Sequence, residues 1–257
     1  MNDDISRTLA DWPMSEDGNV RKIVGDDGRE KIQVRVCIDT YHGILQFECD
    51  GRPDARRPHD HEFALDYYEA RAGEDDDFLL DSEEAEELFL EAMMTYQRYV
   101  VLLQIGDFER VIRDTERNMR LFQFVNKWAE SEADRTRLEK WWPYIIRIHF
   151  TARAMVAMGR EEYDRAREEV KNARRWIDAL PDQDDEVFLT ERKRSRKALN
   201  ELENTINTQR PMTPLEQLEQ EKEQAVENEE YERAARLRDQ IANLRQQNRP
   251  DPPPESN

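Results

Sequence analysis

The chain has 257 residues, 37% of them hydrophobic and 38% charged, with a formal net charge of −19. This balance fits one or two modest domains with long solvated helices, and so acidic a chain argues against general nucleic-acid binding, which needs clustered Lys and Arg. No apolar run is long enough to span a bilayer, the N-terminus is acidic without a signal core, and two cysteines imply a reducing compartment, so cytoplasm is expected.

The fold class expected is mainly α, with a small antiparallel β-sheet over residues 1–81. Val20 to Val24 reads as a strand before the turn Gly25-Asp26-Asp27-Gly28. Ile32, Val34, Val36 and Ile38 then alternate with polar residues, and Leu45, Phe47 and Cys49 alternate again after the loop Thr40-Tyr41-His42-Gly43. Pairing 38 with 45, 36 with 47 and 34 with 49 matches the apolar residues. It puts Cys49 on the inner face and Cys37 on the outer, so the two cannot bond. The loop 51–61 carries Arg52, Arg56 and Arg57, which either fork onto a partner's carboxylates or pair internally with Asp50, Asp54 and Asp60. His59 and His61, with His42 and the cysteines, are zinc-type ligands, but their spacing fits no compact zinc pattern and no metal is expected. Residues 63–71 predict a short helix with Phe63, Leu65, Tyr67 and Tyr68 turned inward, and 73–77 an acidic loop.

Residues 82–208 predict a helical domain with an internal repeat. Gly106-Asp107-Phe108 and Val111 recur as Gly159, then Tyr163 and Ala166; the offset is 55 after the loop but 53 at the glycine, implying a two-residue insertion. This pattern resembles the second helix of a tetratricopeptide repeat, although the period is longer and the usual Trp and Leu-Gly positions are unmatched. Trp141-Trp142-Pro143 predicts a kink or a fresh helix start. The aromatics Trp128, Trp141, Trp142, Tyr144 and Trp176 read as core, and His149 as a packed residue. After a loop at 182–185, a charged helix with Ala198, Leu199, Leu202 and Ile206 on one face would cover the last apolar surface. Its basic run Arg192 to Lys197 reads as a solvated face. No phosphate loop, nucleophile elbow or nucleotide fingerprint is present, so neither an enzyme nor a cofactor is expected.

A stiff linker, 209–213, leads to residues 214–247, and four prolines mark 248–257 as a disordered tail. Leu215, Leu218, Lys222 and Ala225 form one helical stripe, and Ala234, Leu237, Ile241 and Leu244 another. Thr213 and Pro214 suit the start of the first helix, and Asn228-Glu229-Glu230 can reverse the chain. Ala234 and Ala235 would let the helices approach closely at a seam that includes Tyr231, and Arg238 could pair with Glu219 across it. A hairpin this short, without Cys or His, buries too little apolar surface to be secure alone. It therefore needs a partner, or it folds back on its own domain.

The positions Leu218, Ala225, Tyr231-Glu232, Ala234-Ala235, Arg238-Asp239, Ile241 and Leu244 closely resemble the UVR motif of UvrB and UvrC, with Tyr231 where the family usually has Phe. The resemblance implies a protein–protein adaptor that docks another UVR hairpin, or its own copy in a homodimer. Leu215, Leu218, Ala225, Tyr231, Ala234, Ala235, Arg238, Ile241 and Leu244 are then the partner-binding residues. It implies an accessory of nucleotide excision repair or, from kinase-activator and Clp-type relatives of the motif, a stress or proteolysis adaptor. Direct contact with nucleic acid or membrane is not expected.

Overall fold

The computed structural model describes residues 5–12, 18–38 and 41–247. They fall into two compact units, Met1–Asn207 and Thr208–Asn257. The fold is mainly α, with a three-stranded antiparallel sheet near the start and a helical hairpin at the end.

In the first unit, helix α1 (Ser6–Ala10) precedes strands β1 (Val20–Val24), β2 (Glu30–Ile38) and β3 (Tyr41–Glu48), which lie in that order in the sheet. Gly28, at φ +76°, supplies the left-handed residue of the β1–β2 turn. The β2–β3 register differs from the expected one. Val34 faces Leu45 and Ile32 faces Phe47, a shift of four residues, because Tyr41, His42 and Gly43 belong to β3 instead of a loop. Thr40 lies outside the described residues. An even shift leaves every side chain on its expected face, so Cys49 is buried and Cys37 exposed. The inner face is covered only at one end: Ile32 and Cys49 pack with Tyr99, Leu102 and Ile148 of the helices, whereas Ile38 and Leu45 are exposed.

The helices follow as α2 (Ala64–Glu74), α3 (Ser82–Gln104), α4 (Phe108–Trp128), α5 (Glu132–Thr136), α6 (Trp142–Gly159), α7 (Tyr163–Asp178) and α8 (Glu186–Gln209). Asp81 opens α3 with a full capping box to Glu84. Pro143 falls in the first turn of α6, where its missing N–H would have had no helical acceptor, so the helix starts afresh there. α3 packs on α4, α4 on α6 and α6 on α7. Leu199 and Ile206 of α8 are buried in the same core.

The corners of the two hairpins are superimposable in sequence. Between α3 and α4, Gly106 is left-handed (φ +73°), and the amides of Asp107 and Gly106 donate to Leu102 O and Leu103 O at 3.0 and 3.2 Å. Between α6 and α7, Glu161 is left-handed (φ +62°), and Glu162 and Glu161 donate to Ala157 O and Met158 O, both at 2.9 Å. Each atom pair is 55 residues from its counterpart, so the offset is constant and there is no insertion. Gly159 is the last residue of α6 and not the corner. Glycine usually takes such a left-handed position, and matching glycine to glycine therefore misplaced the loop.

The second unit holds α9 (Pro214–Glu227) and α10 (Tyr231–Gln247). Thr213 caps α9 in a reciprocal box with Glu216, and Pro214 takes its first position. The corner is the same a third time: Glu229 is left-handed (φ +62°), and Glu230 and Glu229 donate to Ala225 O and Val226 O at 2.7 and 3.0 Å. The proline-rich segment 248–257 lies outside the described residues.

Candidate functional site

Within the C-terminal hairpin the two expected stripes meet. Ala225, Leu237 and Ile241 are buried, and Leu215, Leu218, Ala234 and Leu244 are half-buried beside them. The expectation for the remaining residues is corrected. Tyr231 is 67% exposed, and Ala235 and Arg238 are exposed too, so none of the three lies in the α9–α10 seam. The helical period explains the split: 234, 237, 241 and 244 form one face of α10, while 231, 235 and 238 form the next face round. Arg238 forks onto Asp239 Oδ1 at 3.0 and 2.8 Å on its own helix; Glu219 was one candidate partner across the hairpin. The nine expected residues thus divide into a set that holds the hairpin together and a set that faces outward.

Residues 213–247 match the UvrB/uvrC motif. The hairpin is a UVR segment. No curated protein and no solved structure matches the chain. The UVR hairpin's outward set, Tyr231, Ala235 and Arg238, combines one aromatic ring, one small residue that lets a second backbone approach, and one guanidinium. Such a face can bury a helix and fix its register through a carboxylate.

The first unit contains a second constrained place that the sequence reading missed. Arg98 is fully buried; its Nε and Nη2 donate to the two oxygens of Asp114 at 2.7 and 2.8 Å, and its Nη1 donates to Glu48 O and Gly51 O. Glu91, also fully buried, accepts from the amides of Ala64 and Leu65 at 2.8 and 3.2 Å and from Arg52 at 3.0 Å. It caps α2 from outside, where Phe63 has no capping side chain of its own. Burial pushes the Glu91 carboxyl up from its ordinary range, and the two amides oppose that shift. These groups hold the sheet and the loop 51–61 onto α3. Their signal in the sequence is charge inside an apolar helical stripe: Leu88, Glu91, Thr95, Arg98 and Leu102 share one face of α3.

For the loop itself, the internal reading holds at Arg52, which also pairs with Asp54 at 2.9 Å. Asp50 instead binds Arg110 and Arg113 on α4. His59 Nε2 lies 2.9 Å from Glu87 Oε2, and its ring stacks on Tyr67 at 4.1 Å. Among the aromatics read as core, Trp128, Trp142 and Tyr144 are half-buried, but Trp141 and Trp176 are exposed. Four cations of the basic run are paired: Arg192 with Asp182, Arg194 with Glu191, Arg196 with Asp178 and Lys197 with Glu201.

Proposed function

We propose that this chain is a non-catalytic cytoplasmic adaptor, an accessory of nucleotide excision repair, in which the UVR hairpin docks a second UVR hairpin. The first unit, a tetratricopeptide-like array, supplies the body that the hairpin tethers. One observation supports this reading above the rest: a UVR segment forms a compact unit of its own, and its second helix leaves an aromatic, a small residue and an arginine exposed in one row. UVR motifs serve protein–protein contacts, and a hairpin of this size gains most from burying such a row.

The test is binding of a UvrB-type C-terminal hairpin peptide to the full chain, followed by fluorescence anisotropy. An interface on the order of 1,000 Å² or less is expected to bind at micromolar strength. Ala235→Glu is expected to remove binding while leaving helical content unchanged, because Ala235 is exposed within the hairpin. Undiminished binding by that variant, or no binding by the parent chain, would overturn the reading.

A further inference from the structure

In the first unit, Trp142 and Trp176 line one groove of about 560 Å³ at the junction of α4, α6 and α7. That size suits a ligand cleft. Each indole is held edge-on by a buried phenylalanine, Trp142 by Phe122 at 5.5 Å and Trp176 by Phe150 at 5.3 Å between ring centroids. Trp176 is nevertheless 50% exposed, and Trp142 is half-buried. Rings fixed in place and left in water are surfaces that a ligand can bury without ordering them first.

The polar groups of the groove are equally selective. Gln123 on α4 is exposed, and Asn172 on α7 accepts from Arg175 through its Oδ1, which leaves its N–H groups to donate. No carboxylate lines the groove, in a chain that carries 58 of them, and Arg175 is its one charge. The pair that Arg175 makes with Glu168 at 2.9 Å is exposed on both sides, so it holds the guanidinium weakly.

We infer that this groove takes a proline-rich segment of another polypeptide, one that also carries a carboxylate. Prolines present flat apolar faces to the two indoles, and a polyproline helix arrives already extended, at little ordering cost. Its backbone carbonyls have no partners within the segment and can accept from Gln123 and Asn172. A helical ligand would bring carbonyls already spent inside the helix and leave those amides unmatched. The segment's carboxylate takes Arg175, whose planar fork suits it.

Calorimetric titration of the full chain with the peptide acetyl-Pro-Pro-Pro-Pro-Glu-Pro-amide tests this, and one-to-one binding is expected. Trp176→Ala should abolish binding while helical content by circular dichroism holds, because Trp176 is half exposed. Arg175→Gln should weaken the peptide about tenfold, the worth of one hydrogen bond to a charged group, yet leave unchanged the binding of a peptide with Gln in place of Glu. Ala235→Glu, a change confined to the UVR hairpin, should bind the proline peptide as the parent does, so the groove and the docking role stand or fall separately. Absence of binding, undiminished binding by Trp176→Ala, or tighter binding of an alanine-rich helical peptide carrying one glutamate would overturn the inference. Much tighter binding after Pro252→Ala, Pro253→Ala and Pro254→Ala would also overturn it, by making the chain's own proline run the occupant in place of another polypeptide.

Discussion

Arg98 and Asp114 sit where water cannot reach either, so their pairing is an obligation as much as a gain. Taking both charges out of water costs several kcal/mol per ion, and the bidentate contact together with the Glu48 and Gly51 carbonyls offsets that cost. Arg98→Ala would leave one Asp114 oxygen and two carbonyls without a donor, Arg113 still holding the other oxygen, and about 3 kcal/mol of stability should be lost in urea unfolding. Changing both partners, as Arg98→Met with Asp114→Leu, should restore only part of it, since the carbonyls stay unpaired. His149 makes a separate prediction. Its burial, with Arg153 nearby, lowers its pKa to about 4. The unfolded chain takes up the proton near the ordinary value of about 6.5, so stability is full above that pH and falls as pH drops toward 4. The loss between pH 7 and pH 5 should be about 2 kcal/mol, and His149→Gln should remove most of it. Equal pH slopes for the two proteins would contradict this.

At the scale of elements, the left-handed corner residue is the recurring device. Gly106 adopts it without penalty, whereas Glu161 and Glu229 adopt it with a Cβ, a conformation that costs roughly 1–2 kcal/mol. Glu229→Gly should therefore stabilise the UVR hairpin by a few tenths to about 1 kcal/mol, after allowing for the greater freedom glycine gives the unfolded chain. Amide exchange of α9 and α10 reads this directly, and faster exchange in the variant would contradict it. The sequence showed the helices, the hairpin and its two stripes because those rest on local periodicity. It did not show the β2–β3 register: apolar matching accepts any even shift, and Tyr41, His42 and Gly43, which read as a loop, lie within β3. Periodicity did place Ala234 on the inward stripe; Ala235 was added to the seam for its small size alone, and one step along the helix turns it outward. Glu91 and Arg98 were legible only as interruptions of an apolar stripe, and their partners, Leu65 and Asp114, are 26 and 16 residues away.

Over the whole molecule, charge decides what the protein meets. A net charge of −19, with four cations of its main basic run paired to carboxylates, leaves little to neutralise phosphates. No helix among the described residues is long and apolar enough to cross a membrane. Binding to duplex or single-stranded DNA should be undetectable at physiological salt in a mobility-shift assay, and tight, salt-sensitive binding would redirect attention to Arg192 to Lys197. The central claim is that the outward face of α10 is where this chain meets its partner. Hydrogen–deuterium exchange of the full chain, with and without a saturating UvrB-type hairpin peptide, tests that claim most directly. The account predicts added protection in residues 231–242 and unchanged exchange across α3 to α8; protection confined to the first unit, with α10 unaffected, would contradict it.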